Sequence, residues 1–410
     1  MARLDRGTAP AARRQDERAE SLRRELAEWA AASYADVRVV RSPYRVCPLG
    51  AHVDHQLGEV TGMALDRALL MAFVARDDAR VVVRSHQFPG VAEFAVDETV
   101  SPKAGDWADY ARGAVSALRA RRHLRRGMSA LLDGHDDVGG LSSSAAAGVA
   151  YLLALESANG LDLSPRENVE LDRAIENDYI GLDNGILDQA VILLSRPGQL
   201  THVDCATGES RLVPLGGGNS VSVAVLFSGL RVPLHATDYN LRVAECREAA
   251  ALLLRAAGMR APERPHLRAV PPDAFVRYGP ALPDNLRRRA VHFFGEQERV
   301  RRGVELWRQG DLQGFGRLVS ESGRSSVENY ECGNPHLRTA CEALRDSPGV
   351  YGARFSGGGF RGCCIGLAQP GAEEEIARAS LARYLRAHPD MEGRARVYFC
   401  RSAQGAGLLD

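Results

Sequence analysis

GGLSSSAAAGVAYLLALES, residues 139–157, joins two glycines to three serines and then to a strongly apolar run. Serine competes with the backbone for hydrogen bonds, so it disfavours helix interiors but caps helix starts well. The pattern predicts a helix over 142–158 that begins near Ser142. Its first turn leaves backbone N–H groups unpaired beside small side chains and flexible glycine. Free donors at the positive end of a helix dipole form an anion site. The dipole contributes about 0.3–1 kcal/mol at exposed positions, so the N–H hydrogen bonds must carry most of the binding. A single serine would suffice for an ordinary capped core helix. Three in a row after two glycines favour a phosphate cradle. No GxxxxGK[ST] occurs anywhere in the chain, so this is not a Walker A loop.

Further along, IENDYIGLDNGILDQAVILL (175–194) surrounds Gly181 and Gly185 with Glu176, Asp178, Asp183 and Asp188. An apolar run follows Asp188 at once. A partly desolvated carboxylate there needs a cation or does chemistry. Asp183 and Asn184 read equally as turn residues, and Asp188 as a helix cap; spacing alone does not separate the two. Upstream, SPYRVCPLGAHVDHQ (42–56) crowds Arg45, His52, Asp54 and His55 around Pro48 and Gly50. HVDH is not a zinc pair, because nothing nearby supplies the remaining soft ligands. Arg45 is the natural cation for a distant carboxylate. SGGGFRG (356–362) contains a literal GxGxxG, but the segment CCIGLAQPG that follows is too short and too punctuated for the helix of a dinucleotide site. A tight loop between two strands fits better.

The remaining chain supplies scaffolding. It has 410 residues, 45% hydrophobic and 25% charged, enough for a large core and more than one lobe. The 52 basic residues balance 52 acidic ones, so no net field draws the protein to nucleic acid or an anionic membrane. Eight cysteines without CxxC pairs, and no apparent signal peptide, point to reduced thiols and the cytoplasm. No apolar run approaches the roughly 20 residues of a membrane span. Residues 1–15 read as a loose basic terminus. Helices are expected over 14–32, 107–122, 165–179, 186–195, 240–257, 283–294, 297–309 and 334–346. Ser164-Pro165 reads as a cap followed by proline at the first helical position. Strands are expected at 37–41 and over 63–85, the latter as a hairpin broken by ARDDAR. VPLGGGN (213–219) marks a boundary before the strand VSVAVLFSG (221–229).

Taken together, three of these segments resemble one family. SPYRVCPLGAHVDHQ resembles the galactokinase signature, VGGLSSSAA the phosphate loop and GARFSGGGFRGCC (352–364) the C-terminal glycine motif of the GHMP small-molecule kinases, in the family's order and spacing. LDQ (187–189) and YNLRVAEC (239–246) match further segments. The resemblance implies an α+β, two-lobed GHMP kinase fold. After an N-terminal extension and helix (1–36), an N-terminal lobe like ribosomal protein S5 domain 2 would cover 37–215 and a ferredoxin-like lobe 216–410. It implies ATP and Mg2+ as cofactors and a small sugar as acceptor, with no obligate protein partner. Asp188 would be the catalytic carboxylate and Arg45 its partner. Val138, Gly139, Gly140, Leu141, Ser142, Ser143 and Ser144 would cradle the triphosphate. Ser144 and Glu176 would bind magnesium. His52, Asp54 and Tyr239 would contact the sugar. Whether Asp188 removes a proton or mainly orients the hydroxyl stays open.

The departures from the family are informative. Val138 replaces a glycine, Asp136 a proline and Arg361 a glycine. Ala51 replaces the glutamate that binds the primary 6-hydroxyl of galactose. Two like charges about 4 Å apart at an effective dielectric near 20 repel by roughly 4 kcal/mol, so losing that glutamate makes room for a 6-carboxylate. The expected reaction is phosphorylation of galacturonate at C1, with galactose or a relaxed set of sugars as the alternative. Arg361, Arg84, Arg41 or His55 would supply the matching cation. A non-catalytic sugar sensor is disfavoured by the intact 142–146 segment, and a mevalonate-type kinase by the sugar-branch first motif.

Overall fold

Residues 38–46, RVVRSPYRV, mix β-branched with polar side chains, yet eight of the nine are buried, as befits a strand covered on both faces. This is β1 (Arg38–Val46), which runs antiparallel to the long β2 (Glu59–Arg76). The computed structural model describes residues 11–96, 103–135, 137–230, 238–359 and 362–409. One face of the β1–β2 region is covered by α1 (Ala11–Ala30), whose Leu22 and Leu26 pack on Val39, Leu70 and Leu131. The other face is covered by α3 (Ser143–Asn159), which follows α2 (Asp109–Arg119) in the chain.

The hairpin expected over 63–85 does not form. β3 (Arg80–Ser85) pairs with β4 (Val91–Ala95) and, in parallel, with β5 (Gly127–Asp133), so β5 lies between β2 and β3. Pairing with β5 buries the apolar face of each strand more fully than a local turn would, and no local pattern encodes that choice. A short extension, β6 (Gln199–Asp204) with β7 (Glu209–Pro214), continues from the start of β2.

A second, four-stranded antiparallel sheet contains β8 (Ser222–Phe227), β9 (Val350–Phe355), β10 (Cys363–Ala368) and β11 (Arg396–Cys400) in the order β11-β8-β10-β9. Helices α10 (Pro335–Arg345) and α11 (Glu373–Ala387) pack on it. Between β8 and α10 come α6 (Tyr239–Ala256), α7 (Pro272–Tyr278), α8 (Asp284–Gln309) and α9 (Leu312–Glu328). The two helices expected over 283–309 are one continuous α8, and α9 and α7 were not expected. The last strand, β12 (Gly407–Leu409), returns to pair with β1 in the first sheet.

Two helices next to the site keep their expected local chemistry. Ser164 and Glu167 form a capping box at α4 (Pro165–Ala174), with proline in the first turn. A π turn at Ile175–Ile180 follows, then α5 (Leu187–Leu194). Residues 1–10 and Asp136 lie outside the described residues. Among the described residues, no helix is long and apolar enough to cross a membrane, and the eight cysteines are free thiols.

Candidate active site

The strand that carries Arg45 is interrupted by its own sequence. Proline has no N–H to give to a ladder, and the β1–β2 register shifts between Pro43 and Arg45. Beyond the shift, the Arg45 N–H donates to the Leu141 carbonyl at 3.1 Å. The Arg45 side chain then reaches Asp188 in the first turn of α5, with Nε and Nη2 donating to Oδ1 at 2.8 and 2.6 Å. α5 is held in place by buried Ala190, Val191 and Ile192 behind that turn.

Ser142 is not the cap that its position suggests. It adopts a left-handed conformation (φ 58°), makes no side-chain cap and donates its hydroxyl to Asp188 Oδ2. The carboxylate is the better acceptor partner for the hydroxyl, because charge-assisted hydrogen bonds are roughly twice as strong as neutral ones. Both oxygens of Asp188 are therefore engaged, one by guanidinium and one by the serine turn.

Glycine in the two loops answers a packing need. A Cβ on Gly362 would sit 2.0 Å from the Gly139 carbonyl oxygen, and one on Gly357 would sit 2.8 Å from the Gly140 Cα. Gly357 and Gly362, between β9 and β10, rest backbone against backbone on Gly140 and Gly139 of the serine loop, and a strand follows them.

Arg45 and Asp188 line a cleft that is partly open to solvent. Its wall includes Glu176, whose carboxylate accepts from the Ser144 hydroxyl and the Asn184 amide. Burial, and then the charge of Asp188, push the Glu176 carboxyl up to about 7, against the pull of those two donors. Asp54 is likewise pushed up to about 6, first by burial and then by Asp188. It accepts the Gly185 N–H at 3.1 Å.

At the other end stand Ala51, His52, Tyr239, Arg354 and Phe355. His52 stacks on Tyr330 with ring centres 4.4 Å apart. Burial and then nearby His292 hold its pKa well below the usual imidazole range, so the ring is neutral. His292 Nε2 lies 3.0 Å from the Ala51 carbonyl oxygen.

Of the residues expected at the site, Arg45, Ala51, His52, Asp54, Ser144, Glu176, Asp188 and Tyr239 border this cleft. Val138 and Leu141 turn their side chains into the core and offer only backbone. Three proposed cations are elsewhere. Arg41 donates to the carbonyls of Gln404 and Leu65, tying down the returning C-terminal segment. Arg84 lies over the Trp29 ring of α1 at 5.0 Å. His55 sits between the Tyr330 hydroxyl and the Gln56 amide, each at 2.9 Å, and burial lowers its pKa to about 3. Arg361 lies outside the described residues. The sequence reading missed Asn184, Cys47 and Arg354. Arg354 stands two residues before the glycine loop, but strand position alone does not say which way it faces.

Residues 109–196 match the GHMP kinases N terminal domain and residues 304–387 the GHMP kinases C terminal domain. The chain is 44% identical to a galacturonokinase of Arabidopsis thaliana over 96% of this chain and 99% of that one. It is 34% identical to a galactokinase of Roseiflexus over 90% and 93% of the two chains. Its fold matches a crystal structure of Lactococcus lactis galactokinase complexed with galactose, with a TM-score of 0.87, 27% identity and coverage of 95% and 99%. The chain belongs to the GHMP kinase family, in its galactokinase branch.

Proposed function

We propose that this protein transfers the γ-phosphoryl group of ATP to the anomeric C1 hydroxyl of D-galacturonate. That it is an ATP-dependent sugar kinase follows from its relatives. The observation that carries the choice of sugar is Ala51, a small apolar side chain on the cleft wall, which also bears the neutral imidazole of His52 and the guanidinium of Arg354. A carboxylate there would repel a 6-carboxylate, and alanine does not. The 44% identical relative being a galacturonokinase supports the same reading.

In this reading ATP lies over residues 138–144, between lobes formed by 37–215 and 216–410, and its phosphates accept from the first-turn N–H groups of α3. The sugar's C1 hydroxyl lies against Asp188. Asp188 accepts that hydrogen as the oxygen attacks the γ-phosphorus, and Arg45 offsets the negative charge of the carboxylate and of the moving phosphoryl group. His52, Asp54 and Tyr239 orient the ring. Ser144 and Glu176 would hold a magnesium ion. They fit it as hard oxygen donors, already hydrogen-bonded to each other on the cleft wall. Among the described residues no group of three or more His, Cys, Asp or Glu could hold a metal, so a cation here would take its other ligands from phosphate and water. When bound, magnesium neutralises phosphate charge.

The test is a substrate comparison. Purified protein with ATP should form galacturonate 1-phosphate with a higher kcat/KM than galactose 1-phosphate. A preference for galactose would overturn the assignment of the sugar.

A further inference from the structure

We infer that Arg354 is the specificity-determining residue of the cleft, the cation that selects a carboxylate at C6 of the sugar; this rests on the function proposed above. Among the described residues that border the cleft, the arginines are Arg45 and Arg354. Arg45 is committed to Asp188 at 2.6 Å. Arg354 is fully buried, and the carboxylate paired with it, Glu296, stands 3.8 Å away.

Glu296 is engaged by other groups. Its Oε2 pairs with Arg299 at 2.7 Å, and its Oε1 accepts the Gly50 N–H at 2.8 Å and the Ser322 hydroxyl. Ser322 in turn accepts from Arg354 Nη1, so a hydroxyl bridges the guanidinium and the carboxylate. Arg354 is anchored further by Nε to the Phe355 carbonyl at 3.0 Å and Nη2 to Ser326 at 3.2 Å. A guanidinium carries five N–H groups, and these neutral ties use one hydrogen on each nitrogen. Arg354 is thus rigidly held, buried and joined to no carboxylate by a direct hydrogen bond.

One carboxylate, Glu296, serves two guanidinium groups here, Arg299 and Arg354. His52, His55 and His292 are neutral, and burial raises the thiols of Cys47 and Cys332, each to about 12. The charge of Arg354 acts on Cys47, His52, His292 and Cys332, and His292 lies against the Ala51 carbonyl. The loop bearing Ala51 is itself tied to the same Glu296 through Gly50. With alanine at 51, Arg299 and Arg354 face the single carboxylate of Glu296, one negative charge short, and a C6 carboxylate supplies it. A planar guanidinium suits a carboxylate through its paired donors.

The test uses the full chain with galacturonate and galactose as probes, measuring calorimetric Kd and kcat/KM for each. In R354Q, galacturonate kcat/KM should fall roughly 10- to 100-fold, mainly through KM, the range of a lost hydrogen bond to charge. The galacturonate-to-galactose ratio should fall with it. R354K keeps the charge but not the fork, and should lower the ratio by about 3- to 10-fold. A folded R354Q that weakens both sugars equally, or neither, overturns the inference. If thermal melting shows R354Q unfolded, R354K decides, and an unchanged ratio there overturns it. Wild-type protein that prefers galactose sinks the functional reading instead, so the two failures are distinguishable.

Discussion

The two ends of the cleft are built on opposite electrostatic plans. At the phosphoryl end the key carboxylate is fully tied before any ligand arrives: Asp188 gives one oxygen to Arg45 and the other to Ser142. At the end that the proposal assigns to C6, a buried guanidinium shares the Glu296 carboxylate with Arg299 and stands near neutral rings and an alanine. In the proposed reading, the first arrangement fixes reacting groups in place and so lowers the barrier of a step common to every sugar, and the second leaves a charge for the substrate to complete and so separates one sugar from another. Changes at the first end should act on kcat for all acceptors, and changes at the second on KM and on selectivity.

The largest effect that could break this contrast is D188N. It should lower kcat about 10²- to 10⁴-fold, the usual worth of a positioned acid–base group, while galacturonate binding by calorimetry stays within a few-fold. A near-normal kcat would mean that the reacting carboxylate is another residue. A51E comes next. A carboxylate facing that of the sugar costs up to roughly 4 kcal/mol, so galacturonate kcat/KM should drop by two to three orders of magnitude while galactose is spared or improved. Equal losses for both sugars would mean that residue 51 acts through packing. E176Q should raise the Mg2+ concentration needed for half-maximal rate about 10-fold, with the requirement for sugar little changed; an unshifted metal titration would remove Glu176 from the metal site. S142A should lower kcat about 10-fold, in the range of a lost hydrogen bond to a charged group, and leave the ratio between sugars unchanged. A shift in that ratio would blur the two ends.

The smallest expected effect lies outside both ends. Glu156 on α3 is buried, one of its oxygens has no hydrogen-bond partner, and burial pushes its pKa up to about 7. The folded protein then holds this proton more tightly than the unfolded chain, so native stability declines as pH rises from about 4.5 towards 7. E156Q should remove that decline and raise the melting temperature above pH 7 by a few degrees, of the order of 2 kcal/mol, without altering kinetics at either end. A lower melting temperature at pH 8 would refute it.

Parts of this site could be read from the chain because their causes are local. The cap at Ser164 and the helix after the triple serine follow from side chains within a few residues. The chemistry of Arg45 and Asp188 was visible as residue types in need of partners. Other parts were hidden because their causes are distant. Ser142 gives up capping for a carboxylate 46 residues away, and β5 displaces the hairpin partner of β2. His55 looked like a cation until Tyr330, 275 residues later, enclosed it.

By itself the sequence determined which loops could approach one another closely, since only glycine at 139, 140, 357 and 362 permits that contact, and which charge was missing, since alanine stands at 51. Tertiary structure alone decided which arginine is left to face the gap. Arg41, Arg84 and Arg354 are all strand residues, and a strand position offers two faces. Packing against α1 and the 400–409 segment turns the first two away, and the serines of α9 with the Phe355 carbonyl hold Arg354 at the cleft wall.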